Sequence, residues 1–235
     1  MSGRLFLCGG GNETQTFQVD EVFLQNVNKI LYVPVAWPSD DFDRCLLWFT
    51  RAMFSHKSVK IEMLTDLNKD VDLKQYGAVY IGGGNTFKLL KRIKESSFDK
   101  KLLRYYNAGG TVYGGSAGAI IWGRDINTAL LCYDRDVNAV ALKDTSGLDV
   151  LGGIDVQVHY HDNESTGHQE YIAKTGRSIV AIPEESALLV ENGKMNVVGT
   201  KLITMITETS LKSYPVGGEV RLRSGVQKLR NRKGI

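Results

Sequence analysis

Three short apolar runs in this chain each stop on glycine. Arg4-Leu5-Phe6-Leu7-Cys8 stops at Gly9-Gly10-Gly11, Ala78-Val79-Tyr80-Ile81 at Gly82-Gly83-Gly84, and Thr111-Val112-Tyr113 at Gly114-Gly115. Runs this short, bounded by turn residues, suit strands covered on both faces. Two more strand-like runs, Lys29-Ile30-Leu31-Tyr32-Val33-Pro34-Val35 and Val59-Lys60-Ile61-Glu62-Met63-Leu64, fall between the first and second. Helix-like stretches separate the runs, at residues 16–26, 86–94 and 98–107. Another carries Phe42, Cys45, Leu46, Phe49 and Met53 near helical spacing, with Ser39 or Asp40 as its cap. Alternating strands and helices predict an α/β fold, a mostly parallel sheet with helices on both faces. Ligands of such sheets lie beyond the C-terminal ends of the strands, so the three glycine clusters are expected to converge on one edge.

The second half is less regular. Residues 134–153 read as loop with short pieces of structure. Ile154-Asp155-Val156-Gln157-Val158-His159-Tyr160 alternates as a strand, and 161–167 is polar. Ser178-Ile179-Val180-Ala181-Ile182 and Ala187-Leu188-Leu189-Val190 flank Pro183-Glu184-Glu185-Ser186. Asn192-Gly193 then predicts a β-hairpin near the C-terminus, with Met195 to Val198 as its return strand. With 235 residues, the chain fits one α/β domain over 1–210 and a basic C-terminal extension over 211–235.

A net charge of +3 does not argue for a nucleic-acid partner. No apolar run reaches the roughly 18 residues of a membrane helix, and the N-terminus lacks a signal-peptide core. Cys8, Cys45 and Cys132 are odd in number and far apart, as expected of reduced thiols in a cytoplasmic protein. Cys8 and Cys132, in apolar surroundings, read as small core residues.

Gly114-x-Ser116-x-Gly118 follows a strand and precedes Ala119-Ile120-Ile121-Trp122, a plausible helix start. This is the pattern of a nucleophile elbow: a sharp turn needs small neighbours and leaves the hydroxyl projecting from the sheet edge. The Ala117 N–H would then face an oxyanion. A glycine-rich turn whose Ser caps a helix would give the same letters. At the second cluster Gly84 can offer another oxyanion N–H, while Asn85 can cap the following helix. It lacks the GK[ST] ending of a phosphate loop.

A serine nucleophile needs a base and an acid to orient it. His159 and His161 stand at a strand end and alternation puts them on one side, so spacing does not separate them. His56 reads as a solvated residue at a helix end, and His168 lies near the start of a helix. His159-x-His161 with His168 and nearby carboxylates would be the metal-site alternative. Glu184, Glu185, Asp134 and Asp136 are all candidate acids, and the residues alone do not choose among them.

With these pieces the chain resembles the S51 serine peptidase family of peptidase E-like and cyanophycinase-like enzymes. The likeness rests on Gly82-Gly83-Gly84-Asn85-Thr86-Phe87, Gly115-Ser116-Ala117-Gly118-Ala119, His159-Tyr160 and Ile182-Pro183-Glu184. It implies a fold like the class I glutamine amidotransferases, with Ser in place of the nucleophilic Cys. It further implies Ser116 as nucleophile, His159 as base, and Gly84 and Ala117 as oxyanion donors. Glu184 is the preferred acid, with Asp136 as the alternative. Asn85, His168 and Glu170 are the candidate substrate contacts, and Glu164 or Glu170 could meet a substrate's free amine. Peptidase E-like enzymes carry an Arg where this chain has His168. A neutral imidazole does not replace a bidentate guanidinium, so strict Asp-X specificity is not implied.

The expected protein is a cytoplasmic, homodimeric serine hydrolase cleaving short peptides as a dipeptidase or exopeptidase, with no metal or organic cofactor. The alternatives are a non-catalytic small-molecule-binding module on the same fold, and an amidase or esterase.

Overall fold

The structure, a computed structural model, describes residues 3–39, 41–132, 134–161 and 165–221. The first half runs β1 (Arg4–Cys8), α1 (Phe17–Phe23), β2 (Lys29–Val33), α2 (Phe42–Phe54), β3 (Lys60–Met63), β4 (Ala78–Ile81), α3 (Thr86–Glu95), α4 (Phe98–Asn107), β5 (Thr111–Gly115) and α5 (Ala117–Ile120). The second half adds β6 (Asp155–Gln157), α6 (Ser165–Thr175), β7 (Ile179–Ala181), β8 (Ser186–Glu191), β9 (Lys194–Gly199), β10 (Ile203–Ile206) and β11 (Leu211–Tyr214).

The main sheet has the order β3-β2-β4-β5-β1-β8-β9. Its first five strands are parallel, and β8 and β9 complete it antiparallel. Strand alternation splits the core in two. Leu5, Leu7, Val79 and Ile81 pack with Phe87, Leu90, Ile93 and Leu102 of α3 and α4. Phe6, Cys8, Tyr32, Tyr80 and Tyr113 pack with Phe23 of α1 and Phe49 of α2. Rings set this second layer: Tyr32 stacks on Phe49 at 4.0 Å, and Tyr80 on Tyr113 at 4.3 Å. Burying one such ring is worth about 2 kcal/mol. Helices therefore cover both faces, as the alternation of runs predicts.

Local chemistry sets several boundaries. β2 stops before Pro34, which has no N–H for the ladder. The cap of α2 is Asp41, whose carboxylate accepts from Arg44 N–H at 3.3 Å, rather than Ser39; Asp40 lies outside the described residues. The β8–β9 hairpin turns at Asn192-Gly193, both with positive φ, as this dipeptide favours.

A second sheet has the order β11-β10-β7-β6, and its outer strands β10 and β11 are additional to those expected from the sequence. The expected boundary at 210 falls inside the β10–β11 hairpin. The chain then packs back on β9: Val220 is buried and its N–H donates to the Met195 carbonyl at 2.7 Å. Residues 211–221 thus belong to the fold, and the rest of the expected basic extension lies outside the described residues. Among the described residues, no helix is long and apolar enough to cross a membrane.

Candidate active site

Ser116 stands between β5 and α5 with φ +51° and ψ −115°, a conformation that non-glycine residues rarely adopt. Its N–H donates to the Cys8 carbonyl at 3.1 Å, tying the turn to the end of β1. A Cβ at Gly114 would fall 2.1 Å from the Gly118 carbonyl oxygen, so the turn closes only without a side chain there. Ala117 opens α5, where the first N–H groups of a helix have no intrahelical acceptor.

β6 ends at Gln157, earlier than its alternation predicts. The chain then turns at His159, whose φ is +52° and whose N–H donates to the Gly9 carbonyl at 3.1 Å. That turn aims the imidazole at the elbow. His159 Nε2 lies 2.8 Å from Ser116 Oγ, and Nδ1 lies 2.7 Å from Glu184 Oε1. Gly10, with φ +96°, passes directly beneath: a Cβ there would sit 2.6 Å from Ser116 Cβ and 2.7 Å from His159 Cε1. The three glycine clusters do meet at this edge, since a Cβ on Gly83 would lie 3.2 Å from Ser116 Cβ.

Glu184 follows β7 and Pro183. Burial pushes its carboxyl up, but hydrogen bonds from His159 and Gln15 outweigh burial and hold it below the usual glutamate value. An ionised carboxylate only accepts, so Nδ1 carries the proton and Nε2 is left to accept from the Ser116 hydroxyl. Glu184 Oε2 accepts from Gln15 Nε2 at 2.7 Å, a contact that no motif in the sequence announces. Chemically, this is a hydroxyl, a base able to take its proton, and an anion able to stabilise the resulting imidazolium.

The remaining candidates are distributed elsewhere. Asp136 is not at His159: its carboxylate accepts from Thr86 N–H at 2.8 Å and from Asn85 Nδ2 at 3.5 Å, at the N-terminus of α3. Asn85 caps the same helix through Lys88 N–H at 2.9 Å, and its amide donates to the Val137 carbonyl at 2.9 Å. Gly84 has φ +135°, and a Cβ on it would meet the Ala36 carbonyl oxygen at 2.1 Å, whereas one on the neighbouring Gly83 would meet Ser116 Cβ. Asp134 and His161 are exposed. His168, expected at the substrate, is buried, hydrogen-bonded to Gln157 and set edge-on to Tyr160. Glu170 is exposed on α6, and Glu164 lies outside the described residues. His56 is packed on Phe17 with ring centroids 4.2 Å apart rather than solvated, and burial lowers its pKa.

None of the three cysteines is in a disulfide, and all three are buried. Burial pushes the Cys8 thiol up to about 12, so it is no rival nucleophile. Among the described residues, no group of three or more His, Cys, Asp or Glu side chains is placed to hold a metal ion.

Comparison with known proteins gives a consistent picture. The model of peptidase family S51 matches residues 5–198. A protein named Peptidase E from Actinobacillus pleuropneumoniae serotype 7 (strain AP76) is 27% identical over 188 residues, covering 77% of this chain and 79% of that protein. Peptidase E from Haemophilus influenzae is 30% identical over 142 residues, covering 55% and 61%. Among solved structures, a peptidase from an acI-B1 actinobacterium superposes with a TM-score of 0.70 at 17% identity, over 94% of this chain and 98% of that one. A Listeria monocytogenes EGD-e protein described as a candidate peptidase E gives 0.68 at 22% identity, over 86% and 100%. At these identities the superpositions speak for the fold alone.

Proposed function

Because this chain belongs to peptidase family S51, we propose that it is a serine-type peptidase that cleaves dipeptides or other short peptides through Ser116, His159 and Glu184. The observation that carries the reading is the line of contacts from Ser116 Oγ to His159 at 2.8 Å and on to Glu184 at 2.7 Å. A module that only binds a ligand has no need of that alignment.

In this reading Ser116 Oγ attacks the scissile carbonyl while His159 Nε2 takes its proton. Glu184 stabilises the imidazolium through Nδ1–H and holds the productive tautomer. The Ala117 and Gly84 N–H groups receive the developing oxyanion. Collapse passes the His159 proton to the leaving amine and leaves an ester on Ser116. Water then attacks that ester with His159 as base, releasing the acid product and restoring the hydroxyl.

His168 stands where peptidase E-like enzymes carry an arginine, and here it is buried against Gln157. That supports a substrate range without a strict N-terminal Asp. The test is a panel of dipeptides varied at the first residue, run with the wild type and Ser116→Ala. Hydrolysis of several dipeptides, lost in Ser116→Ala, is expected. Undiminished hydrolysis by Ser116→Ala would sink the reading, and exclusive cleavage of Asp-X substrates would overturn its specificity.

A further inference from the structure

His159 uses one oxygen of Glu184, and the other is also held. Gln15 Nε2 donates to Glu184 Oε2 at 2.7 Å, across 169 positions of sequence. The Gln15 amide has a determined orientation, because its Oε1 accepts from the Asn12 N–H at 3.0 Å. Only the NH2 end can therefore face the carboxylate. The loop that presents it is closed on itself. Asn12 Oδ1 accepts from the N–H groups of Thr14 at 3.0 Å and Gln15 at 3.1 Å, an Asx-type turn. The Thr16 N–H donates to the Asn12 carbonyl at 2.9 Å.

Glu184 needs such a partner. Its side chain is 29% exposed and has several rotatable bonds, so a single contact to His159 would leave the carboxylate free to swing towards water. A neutral amide suits the place better than a cation. It fixes the second oxygen without neutralising the charge that an imidazolium at His159 would call on.

We propose that Gln15 is a positioning residue that fixes the Glu184 carboxylate against His159. This rests on the triad reading above. Gln15 touches no reacting atom and acts through Glu184.

Gln15→Met keeps the length and volume of the side chain and removes the donor. Gln15→Asn keeps an amide one methylene too short to reach Glu184, and serves as the second variant should Gln15→Met fail to fold. With a dipeptide substrate, kcat is expected to fall between about tenfold and a hundredfold, the scale of a misplaced catalytic group, with KM nearly unchanged. The direct readout is the downfield proton resonance of His159 Nδ1–H, recorded in a Ser116→Ala background so that it does not depend on turnover. It is expected to be sharp with Gln15 present and broadened or lost in either variant. A sharp resonance at the original position, or an unchanged kcat, would overturn the inference. Failure of the triad reading shows separately, as peptide hydrolysis that survives Ser116→Ala while the resonance still reports on Gln15.

Discussion

The loop after β7 and the first turn of α1 each turn a carboxylate inward. Glu184, on the first, is 29% exposed at its side chain, and donors from His159 and Gln15 bring it below the usual glutamate pKa. Asp20, on the second, is 2% exposed. Burial drives it up to about 7, against the weaker opposing pull of the hydrogen bond from Thr16. The Thr16 hydroxyl donates to Asp20 Oδ2 at 2.7 Å, a bond as short as those to Glu184. Hydrogen-bond length therefore does not separate the two acids. Retained solvent and a partner that can carry positive charge do. The acid at the sheet edge is held in its ionised form. The acid behind it, among Cys8, Tyr80 and Tyr113, is a buried group that resists charge.

Glu184→Gln should break this contrast most sharply. It removes the anion beside His159, and kcat for a dipeptide should fall by roughly three to four orders of magnitude, read from initial rates with circular dichroism confirming the fold. A residual rate within tenfold of wild type would take Glu184 out of the mechanism.

Asp20→Asn probes the other side through the pH dependence of stability. With its folded-state pKa raised, wild-type Asp20 keeps its proton when folded while the unfolded chain has already ionised. Stability is thus fully present below about pH 4 and is lost as pH rises to about 7, by on the order of 4 kcal/mol. The amide of the Asp20→Asn variant does not titrate, so that slope disappears, and urea unfolding at a series of pH values would show it. Glu184 has the opposite sign: its contribution is present above the usual carboxylate range and is lost as pH falls. An Asp20→Asn curve parallel to wild type would show that Asp20 ionises freely.

The smallest effect belongs to Asp136→Ala. Removing a carboxylate that accepts from Thr86 N–H should cost about 1 kcal/mol of stability, seen in thermal unfolding. Its effect on kcat should stay far below that of Glu184→Gln. Equal losses from the two variants would give Asp136 the role assigned here to Glu184.

Much of the parallel half was legible because its strands are short apolar runs that need no partner to be recognised. β1 and β4 begin and end where the glycines predict. β10 and β11 were not legible. Leu211-Lys212-Ser213-Tyr214 carries little apolar pattern, and its pairing with β10 supplies what the pattern lacks. β6 was overextended because alternation continues through Val158, while the backbone breaks at the positive φ of His159. At the site, Ser116 was visible from its glycine spacing. The choice of Glu184 over Asp136 depends on which strand ends meet, and sequence distance carries no record of that. Asp136 is drawn instead to the unpaired N–H groups of α3. Gln15 follows no motif, because its function comes from a loop folding onto a residue near the other end of the domain.

Peptide cleavage by Ser116 requires a covalent intermediate on its hydroxyl. A fluorophosphonate should modify Ser116, with the adduct located by peptide mass spectrometry, and dipeptide hydrolysis should fall in proportion to the fraction labelled. Full labelling of Ser116 with hydrolysis intact, or an adduct only at another residue, would contradict it.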